Sequence, residues 1–330
     1  MELAKTIGRR GAQLLVVLIV VSFFTFLLIR LLPGDPTDAI IPFGTEQQKA
    51  QLRDDLGLDE GFFQQYWDYV SGLAQGDLGH QYSSGRPVSE LVEQSLPVSL
   101  QLMIYAQIIA LLFAIPLGIF AAYRSGSKGD RSINTTGFAL LALPNFVLAL
   151  ILSYFIGAEL QWLPTSGYAP GWLDPLFDPS RSPDLLEHAR YMLLPAITLA
   201  AGQVAIYMRL LRSDMIATLQ ENFITMAKAK GVPNRRILWR HALRPSSLTL
   251  LTVAGLNVGT LIGGAIVVEV IFGIPGMGQK IGQAIFSREY IELQSYVVVI
   301  AVLFVLINFF IDFLYSVVDP RIRRARAASS

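Results

Sequence analysis

Residues 209–249 read RLLRSDMIATLQENFITMAKAKGVPNRRILWRHALRPSSLT, a basic segment set between two long apolar runs, and its reading decides how the chain is built. Met215, Leu219, Phe223 and Met226 recur at spacings of four, four and three, which predicts one face of a helix beginning near Ser213 and Asp214. Gly231 and Pro233 then stop it. Ala227, Ala229 and Gly231 leave the end of that helix without bulk, so another protein's surface can approach its backbone. A second short helix is predicted from Pro233 to Leu243, with Pro233 suited to its first turn and Pro245 closing it. The pair forms a helix-turn-helix elbow. The plainer reading is a connector whose Lys and Arg merely follow the positive-inside rule, and the segment alone does not separate the two.

Outward from the elbow the chain is apolar. With 330 residues, 53% of them hydrophobic, 15% charged and a mean hydropathy of +0.49, it reads as one all-α polytopic membrane domain over 1–330. Apolar runs predict spans over about 11–30, 100–123, 133–157, 191–208, 248–268 and 294–318, leaving 209–247 as the elbow. The first run is longer than the apolar core of a signal peptide and has no small-x-small cleavage site, so it is read as a helix. Six spans with both termini inside put 18 of the 26 Lys and Arg on the cytoplasmic side. The segment 31–98 carries eleven acidic side chains against Lys49, Arg53 and Arg86 and belongs outside. Within it Phe62, Phe63, Tyr66, Trp67, Tyr69 and Val70 suit a helix at the outer membrane interface or, equally, a small packed subdomain. Gly255, Gly259 and Gly263 form a stripe that favours close helix packing over lining a passage.

The middle of every predicted span lacks a charged side chain. A charge there costs about 2.5–3.5 kcal/mol on insertion scales, and proteins that keep one generally use it for ion coupling. Gln101, Gln107, Asn145, Gln203, Asn257 and Thr260 remain as neutral polar groups that line a passage or satisfy neighbouring backbone. There is no cysteine, the three histidines have no metal-ligand spacing, and no phosphate loop or GxSxG elbow is present. This pattern argues against catalysis, a bound metal, a cofactor in this chain or a nucleic-acid partner. It describes a pore that takes its energy from a docked partner, with a stand-alone channel or secondary transporter for a small neutral solute as the alternative.

Glu221, Ala227, Lys228, Ala229, Lys230 and Gly231, followed by His241-Ala-Leu-Arg244, resemble the signature loop of transmembrane subunits in ATP-binding-cassette importers, in the dipeptide, oligopeptide and nickel branch. Leu31-Leu-Pro-Gly-Asp-Pro36, Leu56-Gly-Leu58, Gly76-Asp-Leu-Gly79, Leu163-Pro-Thr-Ser-Gly-Tyr168, and Pro275-Gly-Met-Gly278 with Arg288-Glu-Tyr290 resemble that branch too, in order along the chain. The resemblance implies a type I importer transmembrane fold of six helices with the elbow as coupling helix. It also implies a second homologous permease subunit, two ATPase subunits or domains that bind ATP and Mg, and an external substrate-binding protein. Pro275, Gly276, Met277 and Gly278 then become an outer gate or a contact for that binding protein. Asn222 and Phe223 stand where the wider pattern has alanines, and Pro245 lies four residues earlier than the branch's proline.

Overall fold

Backbone in hydrocarbon has no water to bond, so apolar runs of this length fold as helices. The computed structural model describes residues 11, 15–27, 37, 41, 43–55, 57 and 59–318, and among them the only strand-like pairing is a bridge between His80 and Pro87. The motif at 31–36, Leu56, Leu58, both charged termini and the side chain of Thr260 lie outside the described residues.

The helices of eight residues or more are, in order, α1 (Leu15–Leu27), α2 (Glu46–Asp55), α3 (Phe62–Ala74), α4 (Val88–Tyr123), α5 (Lys128–Ala142) and α6 (Asn145–Leu152), the last continued by π-helical turns over Ser153–Glu159. There follow α7 (Leu185–Leu219), α8 (Asn222–Ala229), α9 (Leu243–Ile271), α10 (Met277–Ser287) and α11 (Tyr290–Val318). Helices α4, α7 and α11 are long and apolar enough to cross a membrane, and α5 with α6 meets the same test as a bent pair.

Helices α4 and α7 run along each other and carry the architecture. At 36 and 35 residues they are about 54 and 52 Å long, well beyond the roughly 30 Å of hydrocarbon. Three apolar clusters are stacked along α4. The first, at the start of α4, joins Val88, Leu91 and Val92 to Met277, Ile281 and Tyr296. A middle one joins Val98, Leu102 and Met103 to Met192, Leu199, Leu261 and Val268. The last, towards the end of α4, joins Ala110, Ala114 and Ile119 to Tyr207, Leu211, Met215, Ile224, Ile237 and Leu250. The first cluster explains why α4 begins twelve residues before the apolar run at Leu100: packing, not hydropathy, makes its first three turns helical.

Three sequence expectations are corrected. The run 133–157 is not one straight helix, because α5 and α6 meet at 102°. Leu143, held extended (φ −81°, ψ 121°) by the following Pro144, makes the break. No helix begins at Ser213 and Asp214, which lie inside α7; Met215 and Leu219 end that helix, while Phe223 and Met226 belong to α8. Pro245 closes nothing. It sits three residues into α9, behind π-helical turns over Ile237–Ala242 that widen the backbone where a proline has no N–H to give.

The glycine stripe is resolved in favour of packing at two of its positions. A Cβ on Gly255 would stand 2.5 Å from Ile311 Cγ2, and one on Gly259 would stand 2.2 Å from the Phe304 ring, so α9 and α11 are in close contact there.

Candidate functional site

The elbow is built around one buried anchor. Glu221 adopts an extended backbone (φ −70°, ψ 150°) and its carbonyl accepts from Ile224 N (3.0 Å) and Thr225 N (3.2 Å), which starts α8 without a side-chain cap. Ile224 is fully buried among Leu211, Met215, Ile237 and Leu250, with Ala227 and Val232 packed beside it. Gly231 ends the helix at φ +75°, with Gly231 N bonding Lys228 O (2.9 Å) and Val232 N bonding Ala227 O (3.1 Å). Such a paired closure requires the left-handed conformation that glycine adopts freely. A Cβ at Gly231 would meet nothing within 4 Å.

Opposite the anchor, α8 is bare. Phe223 is 47% and Met226 58% exposed, and Glu221, Lys228, Ala229, Lys230 and Gly231 are exposed around them. His241 is half-buried in the π-helical turns and Arg244 is exposed at the start of α9. Phe223 and Met226 thus leave an apolar pair exposed next to a helix end without bulk.

The elbow is tied to the helices above it by polar contacts that sequence reading missed. Arg212 on α7 grips Asp130 on α5 with two bonds, Nε to Oδ1 (2.6 Å) and Nη2 to Oδ2 (2.7 Å). Asp130 is nearly buried and also accepts from Gly126 N and Asn134 Nδ2, both at 2.8 Å. A neighbouring Arg209 guanidinium lies 4.2 Å over the Phe138 ring. Ser246 Oγ donates to Thr218 Oγ1 (2.8 Å), joining α9 to α7, and Asn234 Nδ2 donates to the Tyr123 hydroxyl at the end of α4 (3.3 Å). The signal for Asp130 was available: Ser127-x-x-Asp130 is a helix-start pattern, and Ser127 Oγ accepts from Asp130 N.

Of the neutral polar candidates, the structure brings three together. Asn257 Nδ2 donates to Gln203 Oε1 (3.0 Å), the Tyr207 hydroxyl donates to Gln107 Oε1 (3.2 Å), and Gln107 Nε2 reaches Ala254 O (3.4 Å). Asn257 also lies against the Tyr207 hydroxyl, so α4, α7 and α9 share one polar group of four side chains. Tyr207 was not anticipated. Asn145 stands apart and exposed at the start of α6, beside the bend.

Gln101, read as lining a passage or satisfying its neighbours, is fully buried and bonded into a network around Asp174. Its amide donates to Pro97 O and Asp174 Oδ2, and its Oε1 accepts from Leu173 N. Asp174 also accepts from the Tyr168 hydroxyl, Gly171 N (2.7 Å) and Arg181 Nη1 (3.2 Å). Burial pushes the Asp174 carboxyl up, but the bonds from Tyr168, Gln101, Gly171 and Arg181 outweigh it and hold it below the usual carboxylate range.

The loop residues Gly276, Met277 and Gly278 are buried, and Pro275 is half-buried, so they offer little to an external protein. Their surroundings explain the pattern. Glu269 Oε2 accepts from Gly278 N (2.7 Å) and Gln279 N (3.1 Å), and Ser99 Oγ accepts from Met277 N while donating to Glu269 Oε1 (2.6 Å). Glu269 thus caps α10 from a distance. A Cβ on Gly278 would stand 2.5 Å from Ile266 Cα, so bulk cannot enter. The Arg288-Glu-Tyr290 motif is likewise a joint: Glu289 accepts from Tyr82 N (2.7 Å) and Ser83 N (2.9 Å), and Ser295 Oγ donates to Leu78 O.

The family profile described as binding-protein-dependent transport system inner membrane component matches residues 114–324, and its companion for the N-terminal part of that membrane component matches residues 3–103. The chain belongs to that family. It is 34% identical over 316 residues to the probable peptide ABC transporter permease protein y4tP of Sinorhizobium fredii, covering 96% of this chain and 98% of the relative. It is 36% identical over 336 residues to the di/tripeptide transport system permease protein DppB of Pseudomonas aeruginosa, covering 97% and 99%. It is 35% identical over 322 residues to the oligopeptide transport system permease protein AppB of Bacillus subtilis, again covering 97% and 99%. Among solved structures, a chain of the MetNI methionine ABC transporter in inward facing conformations shares the fold, with a TM-score of 0.56 and 16% identity over 69% of this chain and 96% of that one. The permease is therefore an integral membrane subunit of type I importer fold.

Proposed function

We propose that this permease subunit, paired with a second homologous one, forms the translocation path through which an ATP-driven importer takes up short peptides. The chain itself catalyses nothing and holds no cofactor. Two cytoplasmic ATPase subunits or domains bind ATP with Mg, and an external binding protein delivers the peptide to the outer face. Relatives with 34–36% identity over nearly the whole chain are named as peptide, di/tripeptide and oligopeptide permeases, which supports the substrate class.

The observation that carries the coupling role is α8: anchored by buried Ile224 and closed by Gly231, yet presenting exposed Phe223 and Met226. An apolar pair left bare on a short basic elbow fits a groove on the ATPase. Force on α8 reaches α4, α7 and α9 through the apolar cluster around Ile224, and reaches α5 through the Arg212–Asp130 grip. Gln107, Gln203, Tyr207 and Asn257 then supply exchangeable hydrogen bonds to a zwitterionic peptide without any fixed charge to trap it. Glu269 and the tightly packed loop 275–278 serve as part of the outer gate.

Both termini, the 124–130 loop and the elbow face the cytoplasm in this reading. Cysteines placed at Ser127 and Ser84 of this cysteine-free chain test that with an impermeant thiol reagent. Labelling in intact cells is expected at Ser84→Cys and not at Ser127→Cys. The function is tested by reconstituting the permease with its partners in vesicles and measuring ATP-dependent uptake of labelled di-, tri- and longer peptides. Uptake that needs no ATPase would return the channel reading.

A further inference from the structure

Helix α3 uses only half of its apolar surface inside the protein. Phe62 and Tyr66 stack edge-on against Phe23 and Phe26 of α1 with ring centroids 5.2–6.1 Å apart, and Tyr69 stacks on Phe26 at 6.2 Å. The Tyr66 hydroxyl is 3.0 Å from Ser22 Oγ, which fixes the pairing of the two helices. Beside that face runs a second apolar stripe, Phe63, Trp67, Val70 and Ala74, at spacings of four, three and four. Phe63 is 82% and Trp67 71% exposed. The polar side chains Gln64, Asp68 and Ser71 follow the same spacing about 100° further round the helix, away from the face packed on α1, and α3 carries no Lys or Arg.

We infer that α3 lies in the outer interface of the lipid bilayer, with Phe63 and Trp67 inserted at headgroup level as a lateral anchor of the external segment. Continuity of surface argues for lipid over another occupant. The helix it packs on, α1, exposes Leu15, Val16, Ile19, Val20 and Phe24, an apolar face that only hydrocarbon or another membrane helix can cover. Phe24 contacts Phe23, which contacts Phe62 and Tyr66, so the stripe on α3 extends that face at its edge. An indole on a helix with a polar back suits the zone between acyl chains and water. The absence of basic residues makes the contact independent of anionic lipid. The inference rests on the chain being a membrane permease and not on which solute it carries.

The test places single cysteines at Phe63, Trp67, Gln64 and Asp68, using the cysteine-free chain, and attaches a nitroxide in the fully assembled importer with cysteine-free partners in phosphatidylcholine nanodiscs. Collision rates with oxygen, which concentrates in lipid, and with a water-soluble nickel chelate are compared. The inference expects oxygen to exceed chelate at Phe63→Cys and Trp67→Cys, with the order reversed at Gln64→Cys and Asp68→Cys. Chelate exceeding oxygen at the first two positions would show a water-facing surface, and protection from both reagents would show a protein partner there. Either outcome overturns the proposal. Peptide uptake measured with the same four variants reconstituted in sealed vesicles separates it from the function reading, since uptake is expected to persist in all four.

Discussion

Replacing Gly231 separates backbone strain from contact with a partner. At φ +75°, any residue with a Cβ is held in the left-handed region, which costs about 1–2 kcal/mol for alanine and less for asparagine. Among the described residues nothing lies within 4 Å of that Cβ, so the backbone strain at this φ is the cost that alanine and leucine share. Burial of Ile224, at roughly 1.5–3 kcal/mol for a side chain of this size, is enough to keep α8 seated in either variant. Where the two variants melt alike, any further difference between Gly231→Ala and Gly231→Leu comes from outside the chain. The assay is thermal unfolding of the purified permease alone, followed by ATPase retention and coupled uptake of the assembled importer. Equal melting of the two variants, with docking and uptake lost only in Gly231→Leu, is expected. Equal docking and uptake would refute the claim that the end of α8 is pressed against a partner.

Removing one member of the Asp130–Arg212 grip leaves the other partly buried and unpaired, which costs about 3 kcal/mol at this depth. A double-mutant cycle of Asp130→Asn and Arg212→Gln should show strong coupling, with ATP hydrolysis retained but fewer peptides moved per ATP. The Asp174 network gives a prediction in pH. Because the folded Asp174 carboxyl lies below its unfolded value of about 3.9, its contribution is complete above that value and is lost only as pH falls through the lower folded one. Acidification to about pH 5 should therefore leave Asp174-dependent stability intact, while Asp174→Asn lowers the melting temperature at neutral pH and abolishes the steep acid loss.

The fold class was legible because hydropathy and charge placement are strong, redundant signals. The helix limits were not. Val88 to Ser99 is polar enough to look like loop, and becomes helix through packing against Met277, Ile281 and Tyr296, which are distant in sequence. At the elbow the positive φ of Gly231 could be read from its neighbours, but the break at Gln220 carries no glycine or proline and leaves the apolar spacing of Met215, Leu219, Phe223 and Met226 unbroken. Periodicity cannot tell an apolar residue buried in its own chain from one left at the surface: Met215 is fully buried and Met226 is 58% exposed. Gln101 and Gln107 looked alike as polar residues in one run. Only tertiary structure separates the first, consumed by Asp174 and Leu173, from the second, grouped with Tyr207.

The coupling claim is tested most directly by photo-crosslinking amino acids placed at Phe223, Met226 and Ile224 in the importer assembled with its ATPases. Adducts with an ATPase subunit are expected from the exposed Phe223 and Met226 positions, in a yield that changes when ATP is added, and not from buried Ile224. Absence of ATPase adducts from both exposed positions, in an importer that still takes up peptide, would contradict the account.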